Sequence, residues 1–326
     1  MKSKKIALLL MFIFLCLSMV LSICLGATNI KVVDIVKSLF IDGEGLTFHI
    51  IYNIRMPRIV TGLLVGMSLS ISGAILQAIM RNNLASPGLI GVSSGAGLAA
   101  TICLVLLPHL AFFTPIAAFS GAFLTTVIIY VLSYKNGIRP LRMVLAGIAV
   151  SSLVNALINL ILIFFPDRVS ETLSFTIGSL NLSTWADVIV MLPYAVIGLI
   201  IALIFSKTIN VMMLGDEIAN SLGINVEKAR FLFIALASFL AAASVSVVGL
   251  LGFVGLIIPH IVKLIVGSDY KYVYIGCTFL GGGVVIFCDT LSRVIAAPME
   301  IPVGITMAII GVPFFLHLLR GRVSHD

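Results

Sequence analysis

Polar side chains inside otherwise apolar stretches are the residues of this chain that could do chemistry. Asp289 is the one candidate for a titratable group in the middle of an apolar segment, and Arg293 follows it by four residues. Ion-coupled transporters use such groups, so this class stays open as a weaker alternative. An intramembrane protease would need a serine–histidine or paired-aspartate arrangement, and neither His260 nor a second aspartate supplies it. We therefore predict no catalytic residues.

The common sequence signatures of nucleotide and metal sites are missing. The sequence contains no G-x-x-x-x-G-K-[ST] motif for binding phosphates. Its five cysteines form no C-x-x-C pair, which argues against a thiolate metal site. We predict no bound metal and no cofactor. Any ATP used by this protein would have to be hydrolysed by another polypeptide.

A polar stripe runs along one predicted apolar helix. Gly147, Ser151, Asn155 and Asn159 recur every four residues, a spacing that places them on one face. Asparagines inside a membrane need protein or water as partners. Hydrogen bonds to a neighbouring helix, worth about 0.6 kcal/mol on average, and the wall of a hydrated pathway both remain open. Gln77 is another polar candidate, as a helix cap or a pathway residue.

Membrane helices must position these residues. The chain has 326 residues, of which 60% are hydrophobic and 10% charged, outside the range of soluble domains. A spanning helix needs about 20 apolar residues. Apolar runs predict ten segments, the first an uncleaved helix, at 6–26, 58–80, 90–107, 113–134, 141–165, 186–205, 231–249, 254–266, 273–292 and 303–319. We predict an all-α, polytopic protein in the lipid bilayer, with residues 1–326 forming a single transmembrane domain.

The distribution of basic residues predicts the orientation. Most of the 20 lysines and arginines lie at one set of helix ends if both termini are cytoplasmic, as the positive-inside rule favours. The net charge of +7 therefore reflects orientation, and we predict no nucleic-acid binding. Arg55, Arg58 and Arg293 fall at the opposite, outer ends. One such arginine is typical of interfacial snorkelling, whereas three favour a docking site for acidic groups of a partner.

The longest polar segment on the predicted cytoplasmic side is LGDEIANSLGINVEKAR, at 214–230. Its pattern predicts a short helix with an acidic first turn, one apolar face and a glycine stop in the left-handed conformation. A helix of this kind requires a groove on a partner, and its acidic start argues against an anionic membrane surface. The residues assigned to this coupling element are Leu214, Gly215, Asp216, Glu217, Ile218, Ala219, Leu222 and Gly223.

Several blocks of the sequence resemble, in their order, the permease subunits of bacterial ABC importers for iron–siderophore complexes, haem and cobalamin (the FecCD type). These blocks lie at 55–97, 139–152, 214–230, 249–272 and 288–319 and span nearly the whole chain. Agreement over many blocks is far more specific than any single motif. The chain departs from the family pattern at Asn83, where a proline is usual, and at Lys263, where the usual basic residue is arginine.

The resemblance implies a transport function and a set of partners. It implies a permease subunit that moves ferric siderophore, or alternatively cobalamin or haem, across the bacterial cell membrane. The partners would be a second permease copy or a paralogue, cytoplasmic ABC ATPase subunits that meet the coupling element, and an extracytoplasmic substrate-binding protein whose acidic residues meet the three arginines. The stripe on the fifth segment and Gln77 would line the translocation pathway between the two permeases.

Overall fold

The computed structural model describes residues 2–26, 30–37, 45–134, 140–297 and 299–323. Within these ranges the regular structure is helical and no strand occurs, so the all-α prediction is confirmed. The α-helices, in chain order, are α1 Lys2–Cys24, α2 Val32–Lys37, α3 Leu46–His49, α4 Met56–Ile79, α5 Val92–Thr101, α6 Thr114–Ser133, α7 Pro140–Phe164, α8 Val169–Ile177, α9 Trp185–Ile204, α10 Ser206–Met212, α11 Asp216–Ser221, α12 Val226–Val248, α13 Val254–Val266, α14 Tyr270–Ile295 and α15 Val303–Val323.

Each of the ten predicted apolar segments coincides with a helical stretch. Among the described residues, seven stretches are long and apolar enough to cross a membrane. They are Ser3–Cys24, Leu46–Ile79, Pro108–Ser133, Leu141–Phe164, Trp185–Ile204, Val226–Val248 and Tyr270–Ile295. The other three segments correspond to the shorter apolar helices Val92–Leu106, Val254–Val266 and Val303–Leu316.

Helix α4 lies at the centre of the bundle, against α9, α12, α13 and α14. Its span is the most buried of the seven, since 89% of its most apolar 18-residue stretch is buried inside the molecule. Glycines allow this packing: a Cβ on Gly66 would lie 2.3 Å from the carbonyl oxygen of Gly281 in α14, and one on Gly73 would lie 1.8 Å from that of Gly255 in α13. Small residues let helices approach closely where lipid provides no hydrophobic drive.

Serine hydroxyls join α4 to its neighbours across these contacts. Ser70 Oγ donates to the carbonyl oxygen of Cys277 in α14 at 2.8 Å, and Ser72 Oγ donates to that of Ala237 in α12 at 2.6 Å. Both serines are fully buried. Because no water is available inside a membrane bundle, these hydroxyls are stabilised by backbone acceptors.

The helix that contains α4 begins earlier than its predicted start at residue 58. It runs from Leu46 through a π-helical turn, Ile50–Arg55, and continues as α4 with Pro57 in its first turn. A proline has no N–H to donate and crowds the preceding turn, and the wider π-helical spacing accommodates it. The indole N–H of Trp185 donates to the carbonyl oxygen of Tyr52 at 3.0 Å and attaches this extension to α9.

Candidate functional site

Arg58 and Asp289 form a bidentate ion pair inside the bundle. Arg58 Nε donates to Asp289 Oδ2 at 2.9 Å, and Nη2 donates to Oδ1 at 2.8 Å. Their side chains are 4% and 3% exposed. The same guanidinium donates to Asn181 Oδ1 at 2.7 Å and to Glu300 Oε2 at 2.8 Å. The planar fork of an arginine suits such multiple pairing, which joins α4 to α14 and to the segments after α8 and α14.

Arg293 and Arg55 lie beside this pair. Arg293 Nε is 3.3 Å from Asp289 Oδ2, and its Nη2 donates to Ser22 Oγ in α1 at 2.6 Å. Arg55 donates to a backbone carbonyl near the end of α1. Both guanidinium groups pack against Gly26. A Cβ on this glycine would lie 3.1 Å from Arg55 Nη2 and 3.4 Å from Arg293 Nη1. We call Arg55, Arg58, Arg293 and Asp289 the arginine cluster.

The structure brings the three predicted arginines together but turns them inward. Arg55, Arg58 and Arg293 are each 4% exposed, whereas the sequence analysis expects them to face outward from helix ends. Arg58 and Arg293 turn inward to Asp289, since a charge in an apolar bundle requires a partner. Arg55 turns to the backbone carbonyl oxygen of Ile23. Glu300, with 33% of its side chain exposed, is the more accessible carboxylate on the cluster. A docking role for the arginines stays a prediction.

Sequence reasoning did not include Asp289, Asn181, Glu300 or Ser22 in this site. The i,i+4 spacing of Asp289 and Arg293 is a local signal for an ion pair on one helix. The partnership with Arg58, 231 residues away in the sequence, has no local signal. It depends on how α4 and α14 pack.

The polar stripe of α7 divides into two halves. Only 11% of the most apolar 18-residue stretch of this helix is buried, so α7 lies at the rim of the bundle. A Cβ on Gly147 would lie 1.9 Å from the carbonyl oxygen of Leu89, and Ser151 Oγ is 3.0 Å from Ser94 Oγ. Asn155 and Asn159 are exposed, and no hydrogen bond joins their side chains to the described part of the chain.

The geometry of an α-helix explains this division. At 3.6 residues per turn, positions four apart drift by about 40° around the axis, so the stripe turns from the packed face to the exposed one. Gly147 makes close backbone contact, Ser151 forms a side-chain contact to α5, and the two asparagines point away from the rest of the chain. The prediction that all four stripe residues share one face of α7 therefore holds only for neighbouring members of the stripe.

Gln77 lies in a polar contact between α4 and α13. Its side chain is buried, its Nε2 donates to the carbonyl oxygen of Leu256 at 3.0 Å, and its Oε1 accepts from Lys263 Nζ at 2.7 Å. Lys263 Nζ also donates to Asn83 Oδ1 at 2.6 Å. The two positions at which the chain departs from the family pattern, Asn83 and Lys263, thus contact each other. This contact joins the predicted cytoplasmic ends of the two helices.

The coupling element contains the short helix α11, which ends as the sequence predicts. Gly223 has φ of 83°, in the left-handed region. Its N–H donates to the carbonyl oxygen of Asn220 at 2.9 Å, and the N–H of Ile224 donates to that of Ala219 at 3.0 Å. These two bonds define a Schellman motif, in which glycine is the preferred residue.

Not all of the apolar residues predicted for the exposed face of α11 are exposed. Leu214, Ile218 and Leu222 are 61%, 48% and 62% exposed, and together they form what we call the coupling ridge. Ala219 is fully buried, so it packs against the same chain and does not belong to the exposed face. The apolar pattern predicts Ala219 on the same face as Ile218 and Leu222, because it does not distinguish a side chain that packs on a partner from one that packs on its own bundle.

Helix α4 ends in a second Schellman motif, and here an arginine takes the position of the glycine. Arg81 has φ of 45°, its N–H donates to the carbonyl oxygen of Ala78 at 3.1 Å, and the N–H of Asn82 donates to that of Gln77 at 3.2 Å. The left-handed conformation costs a non-glycine residue roughly 1–2 kcal/mol. The Arg81 side chain extends to the coupling element, where Nη2 donates to Asp216 Oδ1 at 2.5 Å.

Replacing Asp289 by Asn should destabilise the protein by about 3–5 kcal/mol, the usual cost of breaking a buried ion pair. The reason is that Arg58 and Arg293 would keep their buried charges without a carboxylate between them. The free energy of unfolding, measured by denaturant titration in detergent micelles, checks this. Glu300→Gln is the matched control and should cost less, because Glu300 is 33% exposed. Equal losses for both variants would contradict the assignment.

Comparisons with known proteins identify the family of this chain. The model of the FecCD transport family matches residues 12–321. The Fe(3+)-citrate import system permease protein YfmD of Bacillus subtilis is 39% identical over 312 residues, 96% of this chain and 92% of that protein. The cobalamin import system permease protein BtuC of Halobacterium salinarum is 40% identical over 274 residues, 84% of this chain and 74% of that protein.

A solved structure has the same fold. It is an inward-facing conformation of an ABC transporter described as of the metal-chelate type, with a TM-score of 0.85 and 28% identity, covering 97% of this chain and 99% of that one. The family match, the full-length relatives and the helical architecture agree over nearly the whole sequence. This chain therefore belongs to the FecCD transport family of multi-pass membrane permeases.

Proposed function

We propose that this chain is the membrane-spanning permease subunit of a binding-protein-dependent ABC importer, and that it moves a ferric siderophore across the bacterial cytoplasmic membrane. The observation that carries this proposal is the exposed coupling ridge at one end of a helical bundle of the FecCD family. A ridge of large apolar side chains in this position requires a partner. The partner in the proposal is an ABC ATPase, which hydrolyses the ATP.

The choice of an iron chelate over cobalamin rests on the relatives. The relative that matches over more of both chains is named for Fe(3+)-citrate, and the one named for cobalamin matches over 84% of this chain. No group of three or more His, Cys, Asp or Glu in the described residues could hold a bare metal ion. The iron is therefore proposed to cross while bound to its chelator.

The pathway is proposed to lie between two permeases that face each other along α7. Asn155 and Asn159 point away from their own bundle, where hydrocarbon would leave their amides without hydrogen bonds. A second copy, or a paralogue, would cover this rim and enclose the asparagines beside water. Ser151 and the buried Gln77 would then lie at the margin of this pathway and near its cytoplasmic end, respectively, and Gly147 would hold α7 against the segment before α5.

The proposed orientation, with both termini cytoplasmic, is supported by the contacts of the chain's first helix. Lys4 Nζ lies 5.3 Å from the centre of the Tyr272 ring, at the start of α14. The same turn contacts α10, because Asn210 Nδ2 donates to Asp269 Oδ1 at 3.1 Å. Helix α10 leads directly into the coupling ridge, so the first residues and the ridge lie at one end. If the ATPase docks on the ridge, this end is cytoplasmic.

The binding protein is proposed to dock at the opposite end, near the arginine cluster. Arg58 lies in the first turn of α4, and Arg81 lies two residues beyond its end. The cluster and the coupling element are therefore separated by the length of one helix. Because Arg55, Arg58 and Arg293 are buried, an acidic partner would reach them only after the exposed Glu300 contact opens. The docking surface therefore includes Glu300 in this proposal.

The transported compound can be identified by growth under iron limitation. A strain from which this gene is deleted should fail to grow on at least one supplied ferric siderophore, because the chelate would no longer enter. Growth with cobalamin or haem as the limiting nutrient is measured in parallel, and a plasmid copy of the gene serves as the control. Unimpaired growth on every siderophore, with a defect on cobalamin or haem, would contradict the iron assignment.

Charge placed on the coupling ridge should separate the permease from its ATPase. Ile218→Asp and Leu222→Asp should each reduce co-purification of the ATPase subunit at least about tenfold, since each buries an unpaired charge in an apolar contact. Asn220→Asp is the matched control, because it adds the same charge to the other, exposed side of α11. Normal ATPase binding by both ridge variants would contradict this role, as would robust ATP hydrolysis by the permease alone.

Water should reach Asn155 and Asn159 in the assembled transporter. In a variant with Cys16 and Cys24 replaced by Ala, single changes Asn155→Cys and Asn159→Cys should react with a membrane-impermeant maleimide. Leu153→Cys, on the other side of α7 and 63% exposed, is the control and should remain unlabelled in hydrocarbon. Labelling at Leu153 and not at the asparagine positions would reverse the assignment of the two faces.

A further inference from the structure

The carboxylate of Asp216 joins the coupling helix to two membrane helices. Its Oδ1 accepts from Arg81 Nη2 at 2.5 Å, and its Oδ2 accepts from Arg230 Nη2 at 3.0 Å. Arg81 lies two residues beyond the last residue of α4, and Arg230 lies in α12 with 5% of its side chain exposed. Asp216 is the first residue of α11. The three residues, which we call the clamp, therefore attach the start of the coupling helix to the centre of the bundle.

The left-handed backbone conformation of Arg81 indicates that its side chain has a role other than stabilising the fold. The Schellman motif that ends α11 uses Gly223, whereas the same motif at the end of α4 uses Arg81 in the left-handed region. A glycine at this position would adopt that conformation without strain. An exposed ion pair contributes little to folding stability, and Arg81 and Asp216 are 43% and 46% exposed. Folding stability therefore does not account for an arginine here, and strain of this kind is typical of functional positions.

Neighbouring residues of the coupling helix show a division of roles. Asp216 is engaged by two arginines of its own chain, whereas Glu217 is exposed and has no ion pair among the described residues. The Arg81 Nη2 atom that contacts Asp216 also donates to the carbonyl oxygen of Met212 at 3.1 Å. Arg81 thus holds the end of α10 and the start of α11 with a single nitrogen. The ridge is left free for the ATPase.

We propose that the clamp transmits the displacement of the coupling helix to α4, and that Arg81 and Asp216 are positioning residues and not contacts to the ATPase. Helix α4 is the most buried span, and its other end carries the bidentate pair of Arg58 with Asp289. A packed helix with fixed contacts at both ends moves as one body. This inference rests on the proposed function, because it assigns the clamp to the movement that the ATPase drives.

The test uses the complex of this permease with its proposed ATPase and binding-protein partners, reconstituted in liposomes. Arg81→Gly removes the guanidinium and also the backbone strain, so its thermal midpoint should equal or exceed that of the original protein. Co-purification of the ATPase should be unchanged. Stimulation of ATP hydrolysis by the loaded binding protein should fall about 5- to 150-fold, the usual range of coupling between sites.

Three further variants separate positioning from docking and from folding. Asp216→Asn should lose stimulation as Arg81→Gly does. The control Lys271→Gln should keep it, because it removes an exposed charge at the same end of the bundle, outside the coupling element and the clamp. Arg81→Lys should restore most of the stimulation, because a single nitrogen makes both Arg81 contacts.

The outcomes distinguish this inference from the proposed function. If no ATPase co-purifies with the unaltered permease, the proposed function fails. If the ATPase binds and Arg81→Gly responds normally to the binding protein, the clamp is overturned while the proposed function stands. Loss of ATPase binding by Arg81→Gly or Asp216→Asn would make these residues docking contacts and would also overturn the clamp. A loss of stimulation in Lys271→Gln equal to that in Asp216→Asn would do the same.

Discussion

A buried guanidinium is stable in an apolar bundle only where a carboxylate meets it in the same dry space. Arg58 and Asp289 meet in this way between α4 and α14, and their bidentate geometry fixes the rotation of one helix against the other. Arg293, Asn181 and Glu300 then share the remaining hydrogen-bonding capacity. The packing of α1, α14 and the segments around them depends on this carboxylate.

Burial is distributed unevenly over the bundle, and the distribution has a functional meaning. The span that contains α4 is 89% buried, whereas that of α7 is 11% buried. Glycine contacts and buried serine hydrogen bonds hold α4 at the centre. The rim helix α7 carries asparagines that nothing in the described chain satisfies. A rim helix with amides that the described chain leaves without partners is what the proposed pairing of two permeases would require.

Local rules were sufficient for many features. The ten apolar segments and the glycine stop at Gly223 follow from hydropathy and from backbone sterics. Local rules were insufficient wherever an apolar side chain could either pack on its own bundle or remain exposed for a partner. Ala219 and Ile218 are adjacent apolar residues, yet one packs inward and the other lies on the exposed ridge. The start of α4 at residue 58 was also wrong, since a π-helical turn absorbs Pro57.

The sequence by itself determined the membrane class, the ten apolar segments and the family, because these depend on composition, hydropathy and the order of motifs. Only the tertiary structure decided the partners of the charges: Arg58 with Asp289, Arg81 with Asp216, and Lys263 with Gln77 and Asn83. These pairs are separated by more than a hundred residues, so no local spacing encodes them. Arg58 and Asp289 pair because an apolar interior penalises an unpaired charge. In all of these contacts, helix packing determines which partner is within reach.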